Sequence, residues 1–247
     1  DFASGKVLYS KNAGAIMAPA STTKIMTAII VLERLKLDTT VSIPAAAAAK
    51  EGSSMRLIKQ EKKTVRELLY GLMLVSGNDA ATALAIAVSG SEAKFAQLMN
   101  QKARQLGMKN TNFKNASGLP AINHYSTAYD LAVLCRYAMK NRNFAAIVGT
   151  KVKEVSSAKP GVNRRLINHN KLLWRYQYTT GVKTGYTRTA GGCLVSTANR
   201  NGKQLIAVVL KSSYIYDDSQ KLFAYGFSQT KSGSKLASAK SKQPSGT

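Results

Sequence analysis

The sequence predicts an α+β fold, in which an antiparallel sheet is flanked by helices and carries a mainly helical insert at about residues 64–145. Apolar residues recur at helical spacing through the middle of the chain. After residue 150 the period changes, and strand-like runs appear at 192–198 and 205–210. Asn199-Arg200-Asn201-Gly202 between these runs is a hairpin signal. Strands near the ends and helices in the middle are typical of an α+β arrangement.

The first third of the chain is predicted to begin with a strand and continue with a helix. Residues 2–10 indicate a turn followed by a short edge or terminal strand. A helix is expected from Ser21, because apolar residues then repeat every three or four positions up to Leu35. Residues 39–63 carry an alanine run and a basic patch, and we expect surface segments with short strands there.

Helix boundaries are marked by capping residues and glycines in the middle of the chain. Thr64 and Glu67 fit a capping box, and Gly77 predicts a break before the helix resumes at 80–88. Further helices are expected over 91–106, from the Ser126-Thr127 cap to Met139, and over 217–227. Residues 1–228 are therefore expected to form one domain. The lysine- and serine-rich residues 229–247 contain no acid, and we expect them to be disordered.

The charge of the chain is strongly positive. Its 247 residues include 36 Lys and Arg against 12 Asp and Glu, a net charge of +24, and such a surface attracts polyanions. Anionic wall polymers and membrane surfaces are expected to be attracted by this positive charge. The sequence has no nucleic-acid-binding signature, so no nucleic acid is expected as a partner. Cys135 and Cys193 are expected to be core residues without a disulfide, and no metal or cofactor is expected. No apolar run reaches the ~20 residues of a membrane span, and no signal peptide is visible.

Ser21 and Lys24 form the first motif that carries chemistry. Positions three apart share one helix face, so the Lys24 amine can reach the Ser21 hydroxyl. Serine becomes a good nucleophile when a neighbouring base takes its proton. The motif Ser-x-x-Lys also occurs at four other serines: Ser91, Ser156, Ser228 and Ser232. A helix N-cap is therefore the simpler interpretation of Ser21 taken alone.

Two further motifs complete a catalytic set. Ser76-Gly77-Asn78 lies at the predicted helix break, and Lys183-Thr184-Gly185 lies just before the strand-like run at 192–198. We predict that Ser21 attacks an acyl carbon, that Lys24 takes its proton, and that Ser76 relays a proton to the leaving amine. Lys183 would bind a substrate carboxylate, and Asn78 a substrate amide. A second cation near Lys24 would also lower the pKa of its amine.

The ordered set Ser-x-x-Lys, Ser-x-Asn and Lys-Thr-Gly resembles the penicillin-recognising serine acyl-enzymes of β-lactamase/transpeptidase-like fold. Four surrounding stretches are similar to low-molecular-weight penicillin-binding proteins that are D-alanyl-D-alanine carboxypeptidases: 19–27, 76–81, 125–128 and 183–187. The resemblance covers about residues 3–228. It implies extracytoplasmic hydrolysis of the terminal D-Ala-D-Ala bond of peptidoglycan stem peptides through an acyl-serine, and covalent capture by β-lactam antibiotics.

The resemblance also assigns substrate-binding residues. It implies an oxyanion hole formed by the backbone N–H groups of Ser21 and Tyr186, and substrate contacts from Thr184 and Gly185. His169 occupies the place where the family holds a cation, often arginine, that faces the substrate carboxylate. Relatives often continue into a β-rich domain and a membrane anchor, so a chain that ends in this tail is either shortened or a soluble member.

Two alternatives stay open on sequence alone. A β-lactamase would share the first and third motifs, but its glutamate that activates the deacylating water has no counterpart among the acids between residues 80 and 183. A non-catalytic cationic module for wall polymers or lipid would explain the charge but not the spacing of the three motifs.

Overall fold

The computed structural model describes residues 1–158 and 161–239, and it has the predicted α+β architecture. Its helices are Lys24–Arg34 (α1), Ala45–Ala48 (α2), Val65–Leu74 (α3), Asn78–Ser89 (α4), Glu92–Gln105 (α5), Ala128–Ala138 (α6), Arg142–Gly149 (α7), Leu172–Arg175 (α8) and Ile215–Ala239 (α9), with a 3-10 helix at Ala20–Thr23. Its strands are Thr40–Ser42 (β1), Lys62–Thr64 (β2), Val152–Ser156 (β3), Asn163–Ile167 (β4), Thr179–Thr187 (β5), Gly191–Arg200 (β6) and Lys203–Val209 (β7). None of these helices has the length and apolar character needed to cross a bilayer.

The main sheet is antiparallel in the order β5-β6-β7 and is covered by helices on both faces. Leu194 and Ala198 of β6 pack with Phe223 and Phe227 of α9 on one face. Val195, which points the other way, joins the larger core around α1. The β6–β7 hairpin turns at Asn201 and Gly202, whose φ angles are +51° and +77°, as the sequence predicted.

Helix α1 is the centre of the helical layer. Every residue from Lys24 to Val31 is buried, and α3, α4, α5, α6 and α7 all pack against it. Two small antiparallel pairs, β1-β2 and β3-β4, lie outside the main sheet. Because the 3-10 helix that precedes α1 packs against β5, the first turn of α1 lies at the junction between the helices and the sheet.

Several local predictions are confirmed. Thr64 and Glu67 form the capping box of α3, and Thr127 caps α6 by accepting from the Asp130 N–H. The chain breaks between α3 and α4 around Gly77. Both cysteines are buried and free.

Three predictions differ from the structure. Residues 2–10 form turns rather than a strand, because Ser4 folds back onto the Asp1 carboxylate and Gly5 has a φ of +74°. Lys183-Thr184-Gly185 does precede the strand-like run, but the prediction is incomplete: the motif lies in an additional strand, β5, whose sequence lacks an alternating apolar pattern. Helix α9 extends to Ala239, so the start of the predicted disordered tail, residues 229–239, is helical. Alanine, glutamine and lysine in that stretch are good helix formers. Residues 240–247 lie outside the described residues.

Candidate active site

Ser21 lies within the 3-10 helix and is not a helix cap. Pro19 is the N-cap of this helix, and Thr22 fixes the turn by donating from its N–H and its hydroxyl to the Pro19 carbonyl. Ala20 has a φ of +47°, in the left-handed region that costs a non-glycine residue free energy. We call this turn, residues 19–23, the nucleophile turn. It presents Ser21 immediately before α1.

Lys24 joins the nucleophile turn to two distant loops. Its Nζ donates to Ser21 Oγ at 3.0 Å, to Asn78 Oδ1 at 2.8 Å and to the Ser117 carbonyl at 2.6 Å. The side chain is 0% exposed. An ammonium group uses all three donors on these acceptors, whereas the neutral amine keeps two donors and offers its lone pair to the Ser21 hydroxyl; in both forms the position of Nζ is fixed relative to the serine.

Ser76 and Asn78 project from the tight turn between α3 and α4. Ser76 has a φ of +61°, and its buried hydroxyl has no hydrogen-bond partner among the described residues. Asn78 has two protein partners in addition to the predicted substrate contact: Oδ1 accepts from Lys24, and Nδ2 donates to the Glu51 carbonyl at 2.8 Å. Asn78 therefore orients Lys24 and ties down the loop before β2, and one amide hydrogen stays available to a substrate.

Asp79 binds the loop before β2 at Ser54, Met55 and Leu57. Its carboxylate accepts from the Ser54 hydroxyl at 2.6 Å and from the N–H groups of Met55 and Leu57 at 3.1 and 3.0 Å. The carboxylate is fully buried, and its charge acts on Lys24. The motif residue Asn78 and its neighbour Asp79 thus hold one wall of the site.

Lys183 and Gly185 bring strand β5 against the nucleophile turn. Lys183 is buried and donates to the Thr184 carbonyl at 3.0 Å. A Cβ atom on Gly185 would lie 2.9 Å from the Ser21 nitrogen and 3.1 Å from the Ala20 Cβ. Only glycine permits this close approach of the two backbones.

The two lysines have lowered pKa values. Burial, and then the positive charge of Lys183, hold the pKa of Lys24 well below its usual value, while Asp79 acts in the opposite direction. Burial lowers the pKa of Lys183 to about 7. A neutral amine at Lys24 can accept a proton from the Ser21 hydroxyl, which is the chemistry of an activated serine nucleophile.

Comparison with known proteins identifies the family of the chain. Residues 1–213 match the family model described as D-alanyl-D-alanine carboxypeptidase. The chain belongs to this family. It is 41% identical over 214 residues to the carboxypeptidase DacF of Bacillus subtilis (strain 168), and 42% identical over 242 residues to the D-alanyl-D-alanine carboxypeptidase of Streptomyces sp. (strain K15).

The coverage of these relatives differs. The match takes in 85% of this chain and 55% of DacF, and 90% of this chain and 83% of the Streptomyces enzyme. The chain thus spans about half the length of DacF. The crystal structure of the Streptomyces K15 DD-transpeptidase superposes with a TM-score of 0.86 at 39% identity and covers 92% of this chain and 94% of its own. A D-alanyl-D-alanine carboxypeptidase from Mycobacterium tuberculosis H37Rv has a TM-score of 0.88 at 34% identity, covering 92% and 88%.

The residues assigned through the family resemblance lie around the same strand. Thr184 is half-buried, and Tyr186 is 72% exposed at the open end of β5. His169 is exposed and is held by its backbone, which donates to the Leu74 carbonyl and accepts from the Tyr216 hydroxyl. Partial desolvation, and then the charge of Lys183, lower the pKa of His169, which favours the neutral imidazole.

Three residues in the loop 115–124 contribute to the site without having been predicted. The Ser117 carbonyl binds Lys24, and a Cβ on Gly118 would lie 1.9 Å from the Ala20 carbonyl oxygen. His124 supports the turn from behind: Nδ1 accepts from the Lys114 N–H, so Nε2 donates to Thr23 Oγ1 at 2.9 Å. A backbone carbonyl carries no signature in a sequence, and only the Asn-Ala-Ser-Gly composition of this loop could have indicated a tight turn.

Proposed function

We propose that the chain is a serine D-alanyl-D-alanine carboxypeptidase that removes the terminal D-alanine of peptidoglycan stem peptides through an acyl-serine intermediate, and that β-lactams acylate the same serine. The observation that carries this proposal is the buried Lys24 amine, 3.0 Å from Ser21 Oγ and next to the second buried cation Lys183. The family match supports the choice of substrate.

Acylation begins with proton transfer from Ser21 Oγ to the neutral Lys24 amine. Oγ then attacks the carbonyl carbon of the penultimate D-alanine, and its negative charge moves to the carbonyl oxygen. The Ser21 N–H lies in the first turn of a helix, where backbone donors lack helical acceptors. Together with the Tyr186 N–H it would stabilise that oxyanion.

Departure of D-alanine requires a proton on its nitrogen and recognition of its carboxylate. Ser76 is suited to relay the proton, since its buried hydroxyl has no other partner among the described residues. Lys183, with help from Thr184, would bind the carboxylate, and the charge of that anion would in turn favour protonated Lys183. Asn78 orients Lys24 and would offer its remaining amide hydrogen to the substrate.

The acids of the site favour a carboxypeptidase over a β-lactamase. Within residues 1–158 and 161–239, no carboxylate is hydrogen-bonded or ion-paired with Ser21 or Lys24. Glu92 pairs with Lys50, and Asp130 accepts from the Asn110 N–H and the Thr111 hydroxyl. A penicilloyl-serine without a dedicated base to activate water would be long-lived.

Two measurements test this proposal. Release of free D-alanine from a short D-Ala-D-Ala peptide is expected from the wild type and absent from Ser21→Ala. After penicillin treatment, mass spectrometry should find a stable adduct on the peptide that contains Ser21. Rapid penicillin turnover without an adduct would instead identify a β-lactamase. Binding of polyanions without D-alanine release would identify a cationic binding module.

The substrate also bears on where the protein acts. Stem peptides of peptidoglycan lie outside the cytoplasm, so we infer an extracytoplasmic enzyme that is secreted, periplasmic or associated with the wall or membrane. The net charge of +24 would favour anionic wall polymers and membrane surfaces near that substrate.

A further inference from the structure

A second concave site lies at the beginning of β5, away from Ser21. Its volume is about 610 Å³, and its wall includes Lys151, Trp174 and Thr179. None of Ser21, Lys24, Ser76, Asn78 and Lys183 lines it. Thr179 precedes Lys183 by four residues in the strand, which corresponds to roughly 13 Å. The volume falls within the range of about 300–1,000 Å³ that small-molecule sites occupy.

The wall of this cavity combines aromatic rings with cations. Trp174 is 45% exposed, and Lys151 Nζ lies 5.9 Å from the centre of its ring. Tyr178 also lines the cavity, and the Arg200 guanidinium lies 5.2 Å from its ring. Exposed aromatic faces stack against the C–H faces of sugar rings, and the cations beside them are placed to bind an anionic group on such a sugar.

The cations in and beside the wall stack on aromatic rings but lack carboxylate partners among the described residues. In the part of the chain that the structure describes, Lys151, Arg175 and Arg200 make no ion pair with a carboxylate. The Thr179 hydroxyl is buried and has no hydrogen-bond partner among the described residues. Gln177 adds an exposed amide. Together these groups could bind a carboxylate and several hydroxyls.

We propose that this cavity binds a carboxylate-bearing amino-sugar glycan, namely the peptide-free form of the chain to which peptidoglycan stem peptides are attached through those carboxylates. Trp174 would stack on a sugar ring, Lys151 and Arg175 would bind its carboxylate, and Gln177 would bind its hydroxyl or amide groups. The choice of this sugar rests on the proposed function. The site would hold the enzyme on peptide-free sugars of the wall while Ser21 acts on stem peptides attached to other sugars.

Trp174 is the single tryptophan of the chain, so its fluorescence reports directly on the cavity. The probe is a short peptide-free glycan of alternating N-acetylglucosamine and N-acetylmuramic acid, whose lactyl groups carry free carboxylates. We expect a saturable fluorescence change with this glycan in both the wild type and Ser21→Ala. An N-acetylglucosamine oligomer of equal length, which lacks the carboxylate, should bind at least about tenfold more weakly, because it loses a charge-assisted hydrogen bond.

Lys151→Ala should raise the Kd for the carboxylated glycan by about tenfold for the same reason. Lys140→Ala is the matched control: Lys140 is also an exposed lysine but does not line the cavity, and the variant should bind within about twofold of the wild type. D-alanine release from a short free peptide should be unchanged in both variants.

Three results would overturn the assignment: no saturable change, an equal loss of binding in Lys140→Ala, or tighter binding of a glycerol-phosphate polymer than of the carboxylated glycan. Glycan binding without D-alanine release from the wild type would refute the proposed function alone, because the fluorescence titration does not depend on catalysis.

Discussion

Replacement of Gly118 by alanine tests the contact between the nucleophile turn and the loop that binds Lys24. The new Cβ would lie 1.9 Å from the Ala20 carbonyl oxygen and 2.4 Å from its carbon, which are backbone atoms that no rotamer change can move. Ordinary van der Waals contact begins at 3.4 Å, so the two segments must separate by about 1.5 Å. The Lys24 Nζ to Ser117 carbonyl distance of 2.6 Å would then increase to about 4 Å if Lys24 stays in place, beyond hydrogen-bonding range.

The expected result is a loss of acylation that exceeds the loss of stability. A displacement of about 1 Å in a catalytic group costs on the order of 10²-fold in rate, and we expect that reduction in the rate of penicillin adduct formation on Ser21. Overpacking costs about 1–3 kcal/mol, and the left-handed φ of +85° adds about 1–2 kcal/mol for a side chain. Adduct formation is followed by mass spectrometry, and stability by urea unfolding.

Gly107→Ala is the matched control. Gly107 has a φ of +77° but has nothing within 4 Å of an added Cβ. It therefore reproduces the backbone strain without the clash, and it should lower stability by about 1–2 kcal/mol with an unchanged acylation rate. Acylation of Gly118→Ala at a rate within about threefold of Gly107→Ala would refute the role assigned to this contact.

Three further perturbations address charge, pH and the serine motif. Lys183→Gln removes a cation that lowers the pKa of Lys24, so the acidic limb of the pH profile of penicillin acylation should move to higher pH; an unmoved limb would contradict the coupling. Burial lowers the pKa of His124 to about 4 from about 6.5, so the unfolded state binds more protons between these values and stability falls as the pH falls. Between pH 7 and pH 5 the free energy of unfolding, measured with urea, should fall by about 2 kcal/mol more in the wild type than in His124→Gln. Equal decreases in the two proteins would refute this. Ser91→Ala should lower stability by about 1 kcal/mol through loss of a helix cap, and it should form the Ser21 adduct at the wild-type rate in mass spectrometry.

Motif spacing predicted the site better than it predicted the strand that carries part of it. Ser21 and Lys24 are three residues apart, so local helical geometry alone brings them together. The sequence also placed Ser76 and Asn78 at a helix break, because Gly77 interrupts two apolar runs. Strand β5 was missed because its buried residues, Gly181, Val182, Lys183 and Gly185, do not form an alternating apolar pattern, and a functional strand need not show one.

The role of Asn78 illustrates what a sequence leaves undetermined. An asparagine side chain has two donors and an acceptor, and its partners depend on which loops the fold brings near it. The sequence predicted a contact with the substrate amide. The structure has Asn78 between Lys24 and the Glu51 carbonyl, two groups that lie 54 and 27 residues away in the chain. Its main structural task is therefore to hold the lysine and the loop.

A second copy of the serine-lysine motif shows what makes the first one reactive. Ser91 accepts from the Lys94 N–H and caps α5, which is the ordinary role of serine at a helix start, and the Lys94 side chain is exposed. Lys24 occupies the same position relative to Ser21, but it is buried, bound by groups from two other segments and close to Lys183. Both pairs have the same spacing, so spacing cannot account for the difference. The difference lies in desolvation and a neighbouring positive charge, which lower the pKa of Lys24 and make its amine a base.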